Sequence, residues 1–259
     1  CYMGSFNTLS NESLLMATVL IVMTVIVSYQ QRMRLELEIL HSALRAVVQL
    51  VVVGYLLHFI FGADNPLFTG GVLLVMLISA AINGGKRGPG IKHASWIAGV
   101  SIGIGAIFTL AVLLSANVLS FTPYQMIPVG GMVMSGAMAA VGLCFGQITT
   151  NFESRQQEIQ IKLALGATPM QACKAILRGA LIVSLQPTID IAKTLGIVSL
   201  PGMMTGLILA GMSPIEAIKY QIIVIFMTFS TVSIAIAIAG YLSCQQFFNT
   251  KEQLILSDS

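Results

Sequence analysis

Long uninterrupted apolar runs, rather than an alternation of apolar and polar positions, dominate this chain. They fall at residues 14–29, 46–61, 67–83, 94–116, 128–148, 196–211 and 222–244, and they carry few charges. Apolar runs near or above about 18 residues read as transmembrane helices. Continuous runs argue against a membrane β-barrel, whose strands alternate in polarity. A weaker stretch at 179–191 contains Gln186, Pro187 and Asp190, and an interfacial or re-entrant helix is expected there. The pattern predicts an all-α, polytopic transmembrane bundle of about seven spans, forming one domain over residues 1–259.

Composition agrees: 56% of the 259 residues are hydrophobic and 9% are charged, against about 25% charged in an ordinary soluble domain. The positions of the charges say more than the net charge. With the N-terminus placed outside, the inner segments hold Arg32, Arg34, Arg45, Lys86, Arg87, Lys92, Arg155, Lys162, Lys174, Arg178, Lys193 and Lys251, leaving Lys219 outside. Cytoplasmic loops are enriched in Lys and Arg, so N-outside and C-inside is the expected orientation, in a cell (inner) membrane. Residues 1–13 hold no Lys or Arg, and a secretory leader needs a basic n-region; the first run is expected to be a retained helix.

Between the first two runs, Met33, Leu37, Leu40 and Leu44 recur at 4-3-4 spacing, an apolar helical stripe. Residues 30–45 therefore predict an amphipathic helix on the inner surface, or a helical extension of the second span. Small residues four apart, Gly99/Gly103, Gly142/Gly146 and Gly202/Gly206, favour close helix packing in lipid and offer a dimer face.

The segment 147–178, about 32 residues long, is long for a connector between packed helices, and long loops often carry function. Within it, residues 154–165 favour a helix. Gly166 suits the left-handed position that ends one. Thr168 is a good N-cap, and Pro169 fits the first turn of the next helix, where no N–H is needed. The result is a helical elbow, and the charge rule puts it on the cytoplasmic side.

This elbow resembles the coupling motif of ABC-transporter permeases, which docks into a cleft of the ATPase subunit. Gly166, Ala167, Thr168 and Pro169 fit the turn; the acidic position falls near Gln160, whereas the acid here is Glu158. More widely, "RAVVQLVVVGYLL", "QMIPVGGMVMSGAM", "KLALGATPMQA" and "SLPGMMTGLILAG" resemble the FetB family of permeases over most of the chain. That resemblance implies a permease homodimer working with two separate ATP-hydrolysing subunits, so that ATP and Mg²⁺ belong to the partner. It also implies a metal-ion cargo, since bacterial members are linked to iron export and plant relatives to aluminium tolerance. A permease for a non-metal cargo, and a channel or carrier without an ATPase, remain alternative readings. Nothing points to nucleic acid.

The remaining chemistry is sparse. No G-x-x-x-x-G-K-[ST] is present, so the chain has no P-loop for nucleotide phosphates. "GVSIG" matches a nucleophile elbow, but Ser101 falls inside an apolar helix where that strand-to-helix turn is not available; no catalytic residue is expected. Ionisable and polar groups near lipid are costly and commonly line paths, which makes Arg45, Gln49, Asn83, Gln186, Asp190 and Lys193 path candidates. Proline-broken helices expose carbonyls, which adds Pro201 with Met203 and Met204. Met132, Met134 and Met138 could offer thioethers to a soft metal, though Met also fills apolar cores. Cys1, Cys144, Cys173 and Cys244 show neither C-x-x-C nor zinc spacing, so neither a disulfide framework nor a structural metal site is expected.

Overall fold

The structure is a computed structural model that describes residues 11–63 and 66–249, with side chains described from residue 18 to 58 and from 66 to 249. The described residues are almost wholly helical. They fall into two compact units, divided after Ala63.

The first unit holds α1 (Asn11–Gln30) and α2 (Glu36–Ala63). The connection is tight: Arg32 and Arg34 adopt positive φ of 52° and 58°, and Ser28 donates to Glu36 Oε1 at 3.2 Å. Residues 36–45 are the first turns of α2 and run without a break into the second apolar run. They are thus a helical extension of that run, not a separate surface helix. Continuity is expected, because Ala46 onward has no helix breaker before Gly54.

The second unit holds α3 (Pro66–Gly85), α4 (Ala94–Ser115), α5 (Pro123–Ser154), α6 (Gln156–Ala164), α7 (Pro169–Thr194), α8 (Gly202–Leu209) and α9 (Pro214–Gln246). Among the described residues, α2, α3, α4, α5, α7 and α9 are long and apolar enough to cross a membrane; the described apolar part of α1, Thr18–Gln30, is shorter. Two expectations are overturned. Residues 179–191 are not an interfacial helix but part of the 26-residue α7, about 39 Å long. Conversely, 196–211 is no span: its helical part is the eight-residue α8, with Gly196 just past the end of α7 and Gly211 just past the end of α8, at φ of 78° and 96°. Those left-handed positions favour glycine and end helices.

The centre of the second unit is α5, which packs on α3, α4, α7 and α9. Val133, Ala137, Val141, Cys144, Phe145 and Ile148 on α5 are fully buried. Small residues set the closest crossings: a Cβ on Gly85 would lie 2.5 Å from the backbone of Ser95, and one on Gly105 would lie 2.9 Å from the Thr231 carbonyl. A buried polar contact joins α4 to α9, with Thr231 Oγ1 2.8 Å from Thr109 Oγ1. Gly99 and Gly103 face Ala81 and Leu77, and Gly142 faces Arg87, whereas nothing lies within 4 Å of a Cβ on Gly202 or Gly206.

Helix direction alternates through α3, α4, α5, α7 and α9. Segment 86–93, the α5–α6–α7 connection and the end of α9 therefore share one end of the unit. Thr149 Oγ1 donating to the Pro89 carbonyl at 3.2 Å, and Phe152 stacked on Phe247 with centroids 4.1 Å apart, tie that end together. The segments 116–122 and 195–213 share the other end. Lys193 thus stands at the end opposite Lys162, Lys174 and Arg178. It had been grouped with them because 179–191 was not expected to cross.

Candidate functional site

The elbow is built by local chemistry. α6 ends in a Schellman motif: Ala167 N–H donates to the Lys162 carbonyl and Gly166 N–H to the Leu163 carbonyl, both at 3.0 Å. Gly166 takes φ of 89°, which that motif requires of its left-handed residue. Two residues on, Thr168 opens α7 with a complete capping box. Its Oγ1 accepts from Gln171 N, and Gln171 Oε1 accepts from Thr168 N at 2.9 Å. Pro169 fills the first turn. Both helix ends at the bend are therefore satisfied by the bend itself, so its shape does not depend on a partner.

Glu158 is exposed and pairs with Lys162 at 2.6 Å, one turn on. The Lys162 hydrogen bond, and then its charge, hold the carboxyl below its ordinary range. Ile159 is buried and pins α6 to the core, while Ile161 and Leu165 stand 60% and 82% exposed on the outer side of the bend. This apolar pair carries no motif of its own; its spacing of four, offset from the buried Ile159, is the signal in the sequence.

A cavity of about 370 Å³ lies between α5, α7 and α9, with Leu195, Ser199 and Pro201 also in its lining. Ser184, Thr188, Ser199, Gln221 and Thr228 supply its polar lining, with Pro187 and Pro201 beside them. No charged side chain lines it. The Ser184 and Thr228 hydroxyls each donate to their own helix at 2.7 Å, to the carbonyls of Ala180 and Val224. What remains to each is acceptor capacity. Pro187 has no N–H, so the Val183 carbonyl lacks its usual partner one turn on. Gln221 is 9% exposed, and its Oε1 is buried with no hydrogen-bond partner. Such groups are uncommon in folded proteins, where buried polar atoms are nearly always paired. The cavity thus offers neutral oxygens to a cation or to a cargo rich in N–H and O–H donors.

Of the expected path residues, Pro201 lines this cavity. Gln186, Asp190 and Lys193 do not. Gln186 Nε2 donates to Asp190 Oδ1 at 2.8 Å, and Asp190 lies 3.7 Å from Lys193 Nζ, all exposed. At 100° per residue they fall on the face of α7 opposite Ser184, Thr188, Ile191 and Leu195. Asn83 Nδ2 donates back to the Ser79 carbonyl at 2.7 Å. Arg45 and Gln49 are exposed on α2, in the other unit. Met203 and Met204 are half-buried on α8. Met134 is buried in the core, Met138 lies 3.6 Å from where a Gly84 Cβ would be, and Met132 packs on the core edge. The three are not gathered at either cavity described here.

A second cavity, of about 350 Å³, opens beside the elbow and is lined by Thr168, Pro169, Met170, Cys173, Tyr241, Cys244, Gln245, Phe248 and Asn249. Cys173 and Cys244 meet there from α7 and α9, although their sequence spacing gave no sign of it.

Comparison with known proteins adds the family. The model of the Uncharacterised protein family (UPF0014) matches residues 11–248. The probable iron export permease protein FetB of Escherichia coli is 45% identical over 98% of this chain and 98% of its own length. Protein ALUMINUM SENSITIVE 3 of Arabidopsis thaliana is 37% identical over 92% of this chain and 87% of its own. The UPF0014 membrane protein YjkA of Bacillus subtilis is 34% identical over 93% and 97%. No solved structure matches the chain.

Proposed function

Because this chain belongs to the UPF0014 family of multi-pass membrane permeases, we propose that it is the membrane-spanning subunit of an ABC transporter that exports a metal ion such as iron. ATP and Mg²⁺ are bound on a separate subunit, and the permease works as a homodimer in the cell (inner) membrane. The observation that carries this reading is the elbow: a bend stiffened at both helix ends, presenting Ile161 and Leu165 outward. A stiff projection with an apolar tip suits a cleft on a motor subunit. The absence of a P-loop from the chain is consistent with a motor on another polypeptide.

Charge supports the side of the membrane. Lys86, Arg87, Lys92, Arg155, Lys162, Lys174 and Arg178 belong to the elbow end, against Lys193 and Lys219 at the other. The elbow end is therefore cytosolic by the positive-inside rule. With α1 counted as a span, the N-terminus is outside and the C-terminus inside. ATP-driven closure of the motor pushes the elbow, and α7 carries that motion to the cavity between α5, α7 and α9.

One observation favours a second cargo class within the same architecture. The cavity lining is uncharged, and a bare multivalent cation is normally met by carboxylates. A cargo whose charge is already masked, such as a chelated metal or an organic solute, suits that lining better.

The test is co-purification. The tagged chain is extracted from its own membranes in mild detergent and probed for a P-loop subunit, with and without Ile161→Asp and Leu165→Asp. Capture by the parent and loss by the variants is the expected result. A parent that repeatedly purifies with no ATPase would favour an independent channel or carrier. Stimulation of the complex's ATP hydrolysis in proteoliposomes by ferrous ion, against an iron chelate, separates the two cargoes.

A further inference from the structure

The three cysteines among the described residues lie on three helices, and each is buried. Cys173 sits in the second turn of α7, Cys144 in α5 and Cys244 near the end of α9. Cys173 and Cys244 face one cavity from α7 and α9, and the Cys144 thiol lies 4.0 Å from the Ile236 carbonyl of α9. That cavity is the 350 Å³ one beside the elbow, and Met170 lines the same space one turn before Cys173. Two thiols and one thioether therefore surround a void large enough for an ion.

We propose that this cavity binds one thiophilic monovalent cation of the copper(I) class, held by Cys173 and Cys244 as thiolates with Met170 as the third donor. Sulfur donors select soft ions. No Asp, Glu or His lines the cavity, so a hard cation such as Mg²⁺ or Ca²⁺ finds none of the carboxylates it favours. Nor do three His, Cys, Asp or Glu side chains among the described residues converge as a metal-binding group, which excludes a four-coordinate zinc or iron–sulfur site made from those side chains. A soft monovalent ion is satisfied by two or three sulfurs and needs no more. Binding releases the two thiol protons as the S–metal bonds form, with no change of oxidation state. The remaining lining supplies neutral dipoles, from Thr168, Tyr241 and Gln245, to a site whose net charge with the ion would be −1.

The placement gives the site a consequence. Cys173 and Met170 belong to the first turns of α7, directly after the capping box, and Cys244 belongs to α9. A bound ion would tie the elbow end of α7 to α9. The site stands apart from the uncharged cavity described above, and its existence does not depend on an ATPase docking at the elbow.

The test uses the full chain with Cys1→Ser, so that the thiol outside the described residues does not contribute, purified under reducing, oxygen-free conditions. Copper(I) is titrated in competition with a chromophoric copper(I) chelator. One equivalent should bind, and X-ray absorption at the copper edge should show two or three sulfur neighbours. Cys173→Ala with Cys244→Ala should weaken binding by more than about 100-fold, the upper end of what loss of an outer-shell partner alone costs. Cys144→Ala should bind as the parent does. A parent that loses the ion entirely to the competitor overturns the proposal. So does a nitrogen- or oxygen-dominated coordination shell in the parent, a result that needs no variant to fold. Parent-like binding by the double variant would also overturn it.

Discussion

The bend at Gly166 allows a prediction whose size follows from geometry alone. Gly166 holds φ of 89°, and a Cβ built there meets no atom within 4 Å. A side chain is thus opposed by backbone conformation and by nothing else. For an L-residue the left-handed conformation costs about 1–2 kcal/mol, less for Asn, and more for a β-branched residue. Gly166→Ala should therefore oppose the Schellman geometry by about 1–2 kcal/mol, Gly166→Asn by less, and Gly166→Val by most of the four residues. If docking of the ATPase requires this bend, the partner must supply the difference. Apparent affinity then falls about 5- to 30-fold for Ala, with the order Gly, Asn, Ala, Val. The bundle should be untouched, because Gly166 is exposed and outside the core. The assay is equilibrium binding of the purified ATPase subunit to each variant in nanodiscs, with size-exclusion profile and thermal midpoint as folding controls. Equal affinity for Gly and Val at unchanged stability would refute the role of the bend. A fall in thermal midpoint parallel to the loss of binding would refute the claim that the strain stays local.

Other tests follow from packing and charge. Gly85→Ala drives a Cβ to 2.5 Å from the Ser95 backbone, whereas Gly142→Ala meets the flexible Arg87 side chain at 2.7 Å. Overpacking costs about 1–3 kcal/mol where the neighbour cannot move, so thermal unfolding in detergent should show a clear loss for the first and little for the second. Glu158 has its folded-state pKa lowered by Lys162, so its contribution is present above the unfolded carboxylate value and disappears as pH falls through the lowered one. The pair is solvent-exposed and such pairs contribute little. Glu158→Gln should leave the thermal midpoint at neutral pH nearly unchanged, and any difference from the parent should vanish in acid; a difference that grows on acidification would contradict the sign.

How much of this was legible beforehand depended on whether the cause was local. The elbow could be read because Gly166, Thr168 and Pro169 act through their own backbone and neighbours two or three residues away. The runs that became α3, α4, α5 and α9 could be read because apolar density over a helix length is itself the cause of insertion. α7 and α8 were exchanged for a physical reason. Gln186, Pro187 and Asp190 dilute the apolar density of 179–191, yet the Gln186–Asp190 hydrogen bond lets α7 carry both polar groups on one face. The richer run at 196–211 is broken by Pro201, so that only Gly202–Leu209 is helical, and left-handed Gly196 and Gly211 stand at its two ends. The meeting of Cys173 and Cys244 at one cavity and the unpaired Gln221 oxygen depend on how α7 and α9 pack together, and no spacing along the chain encodes that.

On the proposed function, the course of α7 sets Pro187 between the elbow and the cavity. One helix begins at the Thr168 capping box and lines the cavity with Ser184, Pro187, Thr188 and Ile191 about five turns later. Motion delivered at the elbow can therefore reach the cavity through a single rod. The rod is weakest where Pro187 deprives the Val183 carbonyl of its donor, and such points are where helices bend. Pro187→Ala restores that hydrogen bond, worth about 0.5–1.5 kcal/mol net. The variant should slow amide hydrogen exchange across 183–188 in nanodiscs, leave ATPase docking intact because the elbow is unchanged, and lower transport. Unchanged exchange would mean the turn is not soft in the parent. Slowed exchange with full transport would mean that α7 moves as a rigid body, and that the cavity opens by sliding against α5 and α9 instead of by bending beside it.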